Sequence, residues 1–225
     1  MVKIAPSILS ADFACLEKEV RKVKGAEWIH VDVMDGHFVK NITIGPLIVK
    51  ALRRITRQKL DVHLMIEHPE KHIEAFARAG ADLITVHSEA CANVRSAIDL
   101  IKKSGCRAGV SIRPGTSISN IESVLANVDV VLVMSVEPGF GGQEFMASVL
   151  PKISRLKGIA DRRKLKFEIE VDGGINKDNC REVVRAGADV LVAGSAIFRS
   201  EDPAAMLKII KEKSDRAGKV LKKKR

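Results

Sequence analysis

Short runs of β-branched and apolar residues alternate with longer amphipathic stretches along the chain. This alternation is typical of βαβ units built around a parallel sheet. The pattern predicts eight strands, at Lys3–Leu9, Trp28–Met34, Leu60–Ile66, Leu83–His87, Ala108–Ile112, Val130–Val136, Phe167–Asp172 and Val190–Ala193. A helix is predicted after each strand, beginning near Asp12, Gly45, Pro69, Asn93, Ser119, Gln143, Asn176 and Pro203.

An internal repeat supports this count. The sequence Arg-Ala-Gly-Ala-Asp precedes the fourth predicted strand at 78–82 and the eighth at 185–189. Eight similar units in 225 residues predict an α/β fold, a single (β/α)8 TIM barrel over residues 1–225. A doubly wound open sheet is the alternative, but no Gly-x-Gly-x-x-Gly fingerprint follows the first strand.

The composition indicates a globular protein, with 46% hydrophobic and 29% charged residues. No run of about 18 apolar residues could span a bilayer, and no basic signal-peptide start precedes the first strand. Four widely spaced cysteines form no Cys-x-x-Cys pair, which predicts reduced packing residues rather than disulfides or a zinc site: Cys15, Cys91, Cys106 and Cys180. We therefore expect a cytoplasmic protein without a membrane partner.

The net charge of +10 could indicate affinity for nucleic acid or for small anions. Much of the excess lies in a basic tail at about 219–225, which we expect to follow the eighth helix and to stay outside the chemistry. Aromatic residues make up only 4% of the chain, without any tyrosine, so the stacking surface of a single-stranded nucleic-acid binder is missing. A small anion is favoured as the partner.

Alternation along the strands predicts which side chains face the barrel interior. In the second strand, Ile29, Val31 and Val33 form the helix-facing set, so the residues between them point inward. The same parity predicts that the inward side chains of strands two, three and seven are His30, Asp32, Met34, Asp61, His63, Met65, Glu168, Glu170 and Asp172.

Several ionisable groups in one apolar interior need partners, because burying an unpaired charge is costly. A lone histidine is more often a hydrogen-bonded core residue than a ligand. Two imidazoles and two carboxylates at matching strand ends instead favour a divalent metal, Zn²⁺, Fe²⁺, Mn²⁺ or Co²⁺, bound by His30, Asp32, His63 and Asp172.

The remaining polar residues near the strand ends receive supporting roles. We expect Asp61 and Glu170 to lie deeper and to anchor the ligands or satisfy buried partners, and Asp35 and Glu137 to be structural partners. The other histidines are interpreted as loop or helix residues without a role in the site: His37, His68, His72 and His87.

Three methionines, Met34, Met65 and Met134, end the second, third and sixth strands on the inward side. Methionine commonly fills gaps in a core. It could equally line a substrate cavity with polarizable side chains that do not ionise, and both interpretations stay open.

Glycine-rich segments follow the last three predicted strands, at 138–143, 172–175 and 194–196. Glycine lets the backbone approach an anion closely, and the start of a helix offers unpaired N–H groups. Barrels often bind phosphate in the loops after strands seven and eight. A small phosphorylated substrate is therefore predicted, anchored at strands six to eight with its other end near the metal.

The chain resembles the ribulose-phosphate 3-epimerase family over nearly its whole length. The resemblance rests on the segments Ala5–Asp12, His30–Phe38, Val62–Met65, Val136–Gln143, Val171–Gly174 and Ala193–Ala196. Where the family usually has Phe-Val-Pro-Asn, this chain has Phe38-Val-Lys-Asn41, so Lys40 departs from the pattern without removing a ligand.

The resemblance implies interconversion of D-ribulose 5-phosphate and D-xylulose 5-phosphate in the pentose phosphate pathway, with one divalent metal and without NAD or a flavin. It implies the same four metal ligands and makes Asp32 and Asp172 the acid/base pair, which acts through a 2,3-enediolate. We expect His63 and the three methionines to contact the substrate, and the resemblance implies further contacts: Ser7, Gly139, Phe140, Gly141, Gly142, Gly173, Gly174, Gly194 and Ser195. We also expect a homo-oligomer.

Two other functions stay open. An epimerase of a six-carbon ketose phosphate such as allulose 6-phosphate would use the same site, and a non-enzymatic RNA-binding protein is the hypothesis from a different class. Related decarboxylases use an Asp-x-Lys-x-x-Asp array, and no aspartate here has a lysine two places on, which disfavours decarboxylation.

Overall fold

A computed structural model describes the backbone of residues 1–223 and the side chains of residues 1–219. The described chain contains eight strands: β1 (Lys3–Pro6), β2 (Trp28–Met34), β3 (Lys59–Met65), β4 (Leu83–His87), β5 (Arg107–Ile112), β6 (Val130–Met134), β7 (Glu168–Asp172) and β8 (Val190–Ala193). Its α-helices are α1 (Leu16–Lys22), α2 (Pro46–Ile55), α3 (Ile73–Ala79), α4 (Val94–Lys103), α5 (Leu150–Arg163), α6 (Cys180–Ala186), α7 (Ser195–Phe198) and α8 (Pro203–Lys223).

The strands form one parallel sheet in the order β1-β8-β7-β6-β5-β4-β3-β2. A parallel bridge between Ser7 and His30 brings β1 beside β2, so the sheet curls into a nearly closed barrel. This is the predicted (β/α)8 TIM barrel. No helix within residues 1–223 is long and apolar enough to cross a membrane.

The first strand is shorter than predicted. It ends at Pro6 rather than Leu9, because Ile8–Ser10 forms a 3-10 turn. The Ser7 hydroxyl accepts a hydrogen bond from the Leu9 amide, at 3.3 Å, and a local bond of this kind competes with pairing in a sheet.

The helices depart from prediction at four places. The helix α5 begins at Leu150 rather than near Gln143. The helix expected near Ser119 is replaced by two 3-10 turns, Ile118–Asn120 and Glu122–Val124, whose buried Ile118 and Val124 still cover the sheet. The four-residue α7 was not predicted. The last helix continues to Lys223, so residues 219–223 of the basic tail belong to α8 rather than following it, and 224–225 lie outside the described residues.

The predicted alternation of side chains is confirmed. Ile29, Val31 and Val33 join the large apolar layer between the barrel and its helices. Inside the barrel, a separate apolar cluster is formed by Ala5, Trp28, Leu83, Val130, Val190 and Val192. Most of this cluster lies at the amino ends of the strands, whereas Val192 is paired with Asp172 and lines the cavity described below.

Glu168, predicted to point inward, lies at the opposite rim, at the amino end of β7. Its carboxylate accepts hydrogen bonds from Lys3 Nζ at 2.5 Å and from Arg107 Nη2 at 2.9 Å. Both cations also lie over the Trp28 ring, with Lys3 Nζ 4.8 Å from its centroid. This group ties β1, β5 and β7 together at the amino rim of the barrel.

Candidate metal centre and active site

The four predicted metal ligands meet at the carboxyl ends of β2, β3 and β7. His30, Asp32, His63 and Asp172 each offer one donor atom, and these atoms lie within 4.8 Å of one another. The two imidazoles are fully buried, and the side chain of Asp172 is 17% exposed. Three strands that are separated in sequence thus converge on one mixed nitrogen and oxygen cluster.

The geometry of His30 suits a metal ligand. Its Nδ1 lies 2.6 Å from Asp61 Oδ2, so the carboxylate accepts the Nδ1 proton. Its Nε2 is buried, has no hydrogen-bond partner and lies 3.3 Å from Asp32 Oδ1 and 3.9 Å from Asp172 Oδ2. A buried imidazole nitrogen without a hydrogen-bond partner, facing two carboxylates, fits a site for a divalent cation.

The expected anchoring role is met by Asp61, and Glu170 lies beside the same ring, with its Oε1 3.8 Å from His30 Nδ1. Asp61 orients His30 directly, as carboxylates behind metal-bound histidines commonly do. Both carboxylate oxygens of Glu170 are buried without a hydrogen-bond partner. His30, Asp61 and Glu170 also form a second group with ligand spacing, but the short His30–Asp61 contact occupies the imidazole nitrogen that it would need.

His87 lies beside the cluster, although sequence reasoning gave it no role in the site. The histidine was interpreted as a loop or helix residue even though the predicted strand Leu83–His87 ends on it, and the structure places it, fully buried, as the last residue of β4. Its Nε2 lies 2.9 Å from His63 Nε2. The signal was available, because His87 has the inward parity of Thr85. The other three, His37, His68 and His72, lie between regular elements as expected.

The carboxylates of the cluster differ in proton affinity. Burial alone would raise the pKa of Asp32, but His30 and His63 beside it outweigh this and lower the pKa far below its usual range. Burial and the charge of Asp32 raise the pKa of Asp172 to about 6. Burial lowers the pKa of His30, but Asp61 and Asp32 reverse this and raise it well above normal. The cluster therefore attracts positive charge.

A cavity opens above the cluster. Asp32, Asp172 and all the predicted substrate contacts except His63 line it: Ser7, Met34, Met65, Met134, Gly139, Phe140, Gly141, Gly142, Gly173, Gly174, Gly194 and Ser195. His63 lies buried behind this wall. Leu9, Ser10 and Gln143 also line the cavity, and sequence reasoning gave them no role although they lie in the motif segments Ala5–Asp12 and Val136–Gln143.

Asp32 and Asp35 are held by their neighbours. The Ser7 hydroxyl donates to Asp32 Oδ2 at 2.5 Å. Asp35 accepts hydrogen bonds from the amides of His37, Phe38 and Glu67, as expected for a structural partner.

Lys40, which departs from the family pattern, is exposed. The neighbouring Asn41 donates a hydrogen bond to Gly139 O at 2.9 Å, and this bond joins the loops after β2 and β6.

Two glycines in the loop after β7 have no room for a side chain. Gly174 has φ +66°, and a Cβ there would lie 2.4 Å from Phe145 N. A Cβ at Gly173 would lie 2.6 Å from the Val136 side chain. Only the third glycine loop leads directly into a helix, at Gly194 and α7, since α5 and α6 begin several residues after their loops. The phosphate site was expected to use the N–H groups of helix starts, but the segments around the cavity are mainly loop backbone.

The fold and this site define a barrel enzyme with a candidate metal centre at the carboxyl ends of its strands. Residues 3–198 match the model of the ribulose-phosphate 3 epimerase family. The chain belongs to this family.

Curated relatives agree with this membership. The chain is 56% identical over 205 residues to the ribulose-phosphate 3-epimerase of Bacillus subtilis (strain 168), covering 90% of this chain and 94% of the relative. It is 51% identical over 212 residues to the chloroplastic ribulose-5-phosphate-3-epimerase of Arabidopsis thaliana, covering 92% and 75%.

Solved structures share the fold at low identity. A KGPDC from Streptococcus mutans has a TM-score of 0.72 and 15% identity, covering 96% of this chain and 99% of that chain. At this identity the similarity shows the barrel fold alone.

Proposed function

We propose that this protein interconverts D-ribulose 5-phosphate and D-xylulose 5-phosphate by transferring a proton at C3. The observation that carries this proposal is the pair of carboxylates, Asp32 and Asp172, which reach one cavity from β2 and β7 beside two buried imidazoles. Similarity to curated epimerases over nearly the whole chain supports the same reaction.

His30, Asp32, His63 and Asp172 would hold one divalent cation, Zn²⁺, Fe²⁺, Mn²⁺ or Co²⁺. When bound, the cation supplies positive charge that stabilises the negative charge developing on the substrate oxygens at C2 and C3. The glycine loops after β6, β7 and β8 would bind the phosphate through backbone N–H groups at the far end of the cavity.

The two carboxylates perform the proton transfers. Epimerisation removes the C3 proton from one face and delivers another to the opposite face, through a 2,3-enediolate. Asp32 has the lowered pKa and is the carboxylate held by Ser7, whereas the pKa of Asp172, raised by burial and by Asp32 to about 6, suits a group that carries a proton near neutrality. The roles exchange in the reverse direction. The methionines Met34, Met65 and Met134 line the cavity without offering a competing proton.

The test is proton exchange in D₂O with the Asp172→Asn variant. Amide oxygen can still face the cluster, but the basic oxygen is lost, so epimerisation should fall ~10²–10⁴-fold. Each pentulose phosphate is incubated separately with metal-loaded protein, and its C3 proton is followed by NMR. We expect exchange of one epimer to survive through Asp32 and exchange of the other to disappear.

Near-normal epimerisation by Asp172→Asn would eliminate Asp172 as a base. Asp178→Asn, an exposed aspartate on the loop before α6, is the matched control and should behave like the unaltered protein. A six-carbon ketose phosphate assayed beside ribulose 5-phosphate tests the alternative substrate, and a higher kcat/KM for it would replace the pentose assignment.

The homo-oligomer also remains a prediction. The apolar side chains of Ile42 and Leu47 are 76% and 82% exposed in the segment from the end of β2 to the start of α2, which supports an association surface. Sedimentation velocity of the unaltered protein would test it, and a monomer at micromolar concentration would contradict it.

A further inference from the structure

His63 has a second partner that the proposed chemistry does not use. In addition to the Nε2 contact with His87, His63 Nδ1 lies 3.3 Å from Asp32 Oδ1 and 3.9 Å from Asp172 Oδ2. The nitrogen that faces the cluster is therefore Nδ1. A neutral imidazole can bind a cation through Nδ1 only when its proton is on Nε2.

The contacts of Glu89 determine which ring nitrogen of His87 carries a proton and, through His87, which nitrogen of His63 does. Its Oε1 accepts hydrogen bonds from the Arg113 amide, at 2.8 Å, and from the Thr116 hydroxyl. Its Oε2 lies 3.2 Å from His87 Nδ1. The hydrogen bonds to Glu89 lower its pKa, against the opposing effect of burial, to about 2, so the group is an acceptor only. His87 Nδ1 must then carry the proton.

The direction of the next hydrogen bond follows. His87 is fully buried between the rings of Phe38 and His63, each 4.9 Å away between centroids. With its proton on Nδ1, a neutral His87 presents the lone pair of Nε2 to His63. Only one proton fits between two nitrogens 2.9 Å apart, and it must be on His63 Nε2 when the Nδ1 lone pair of His63 binds a cation.

We propose that Glu89 and His87 are positioning residues, which fix the tautomer of His63 so that its Nδ1 lone pair faces the cation site. His30 is oriented in the same way in one step, because Asp61 contacts its Nδ1 directly. For His63 the orienting carboxylate is Glu89, on the segment after β4, and the His87 imidazole lies between them. The inference rests on the proposed metal site and extends it to two residues outside the ligand set.

The decisive variant is Glu89→Gln. The Arg113 amide requires an acceptor at the Oε1 position, so the glutamine NH₂ must replace Oε2 and donate to His87 Nδ1. His87 then carries its proton on Nε2, His63 Nε2 becomes the acceptor, and the His63 proton moves to Nδ1, which blocks ligation. One isosteric change at a residue outside the ligand set should therefore reverse both tautomers.

Two measurements without substrate test this. Long-range ¹H–¹⁵N NMR at one saturating Zn²⁺ concentration should show the His63 proton on Nε2 in the unaltered chain and on Nδ1 in Glu89→Gln. Competition with a chelator should show Co²⁺ and Zn²⁺ affinity about 10–100-fold lower in the variant, the usual scale for outer partners of metal ligands. Glu70→Gln is the matched control, since Glu70 pairs with the exposed His68 at 3.3 Å, and it should change neither measurement.

A pair of variants at His87 separates positioning from packing. His87→Gln keeps an acceptor for His63 Nε2 and should retain affinity within about threefold, whereas His87→Phe fills the space without an acceptor and should lose about 10–100-fold. Unchanged affinity and an unchanged His63 tautomer in Glu89→Gln would overturn the proposal, as would equal losses in the two His87 variants. Because neither measurement uses turnover, failure to epimerise ribulose 5-phosphate would overturn the proposed function alone.

Discussion

At the scale of single residues, hydrogen-bond partners determine what each ionisable group of the site can do. Asp32 and Asp172 are the same residue type at the ends of two strands, yet their pKa values move in opposite directions. Asp32 lies next to both imidazoles and accepts the Ser7 hydroxyl, whereas Asp172 is dominated by burial and by the charge of Asp32. The surroundings of these two chemically identical carboxylates therefore suit them to different steps of the proposed proton transfer.

The hydrogen bond from Ser7 to Asp32 can be tested by Ser7→Ala. A hydrogen bond to a charged group contributes about 1.5–3 kcal/mol, so its loss frees the carboxylate and should lower kcat at least about tenfold. Bound metal should be unchanged, because Ser7 is not a ligand. Steady-state kinetics and elemental analysis of the same sample measure both. The exposed Ser96 supplies the control, Ser96→Ala, and an undiminished kcat in Ser7→Ala would contradict the role.

At the scale of elements, the two rims of the barrel have separate tasks. The carboxyl ends of β2, β3 and β7 supply the cluster, and the loops after β6, β7 and β8 surround the cavity. The amino ends of β1, β5 and β7 carry the Lys3–Glu168–Arg107 group, far from this cavity. Because all the strands of a parallel barrel run in one direction, this division is general, and active sites form at the carboxyl rim.

The ion group at the amino rim should stabilise the fold in a pH-dependent way. Burial alone would raise the pKa of Glu168, but hydrogen bonds from Lys3 and Arg107 outweigh it and lower the pKa. Its stabilisation is therefore present above the unfolded pKa of about 4.3 and is lost as pH falls through the lower folded pKa. Glu168→Gln should lower the free energy of unfolding by ~1 kcal/mol at pH 7. This value is discounted for solvent screening, because the carboxylate is 24% exposed.

Urea unfolding across a pH series measures this effect. The difference between the unaltered protein and Glu168→Gln should shrink as pH falls below about 4. Glu74→Gln, at an exposed pair with Arg78 on α3, should change stability by less than about 0.5 kcal/mol. A difference for Glu168→Gln that stays constant down to a pH of about 3 would show that its carboxylate charge is not the cause.

At the scale of the whole molecule, a cation at the cluster would connect strands that are distant in the sheet. β2 and β3 are neighbours, whereas β6, β5 and β4 separate β7 from β3 in the sheet order. A ligand held by all three strands favours the closed barrel over the unfolded chain, because the donor set exists only when the strands meet.

Metal should therefore raise both activity and stability. Free Zn²⁺ or Mn²⁺ at about 100 times its Kd should stabilise the fold by about 2.7 kcal/mol and raise the Tm by several degrees, and chelation should reverse this and abolish turnover. His63→Gln should lose most of the Tm shift, whereas His72→Gln, an exposed histidine, should keep it. Full activity in demonstrably metal-free protein would refute the metal centre.

The basic tail should be dispensable for catalysis. The end of α8 lies at the amino rim, where Asp215 accepts the Val2 amide at 2.8 Å and Gly218 lies beside Val2. Removing residues 219–225 should leave kcat/KM within about twofold, since residue 219 is thus at the rim opposite the cavity. A tenfold loss with an intact circular dichroism spectrum would mean that the tail reaches the site.

The barrel and the candidate metal cluster could be predicted from the sequence, because both depend on local periodicity. Alternation in β2 and β3 placed His30, Asp32 and His63 inward, and parallel strands bring their carboxyl ends to one rim. The glycine pattern predicted the loops after β6, β7 and β8, and the family motifs added Ser7 and the individual substrate contacts in those loops. None of this requires knowledge of which side chains touch.

The partners of those side chains follow from the folded barrel and could not be read from the periodicity. The contact between His63 and His87 joins residues 24 apart in sequence, and its direction depends on Glu89, the Arg113 amide and the Thr116 hydroxyl together. Likewise, Glu168 shares the inward parity of Glu170 and Asp172, yet its position along the strand puts it at the opposite rim. Periodicity fixes the face of a strand on which a residue lies, whereas a hydrogen bond depends on distances across the barrel, which packing sets.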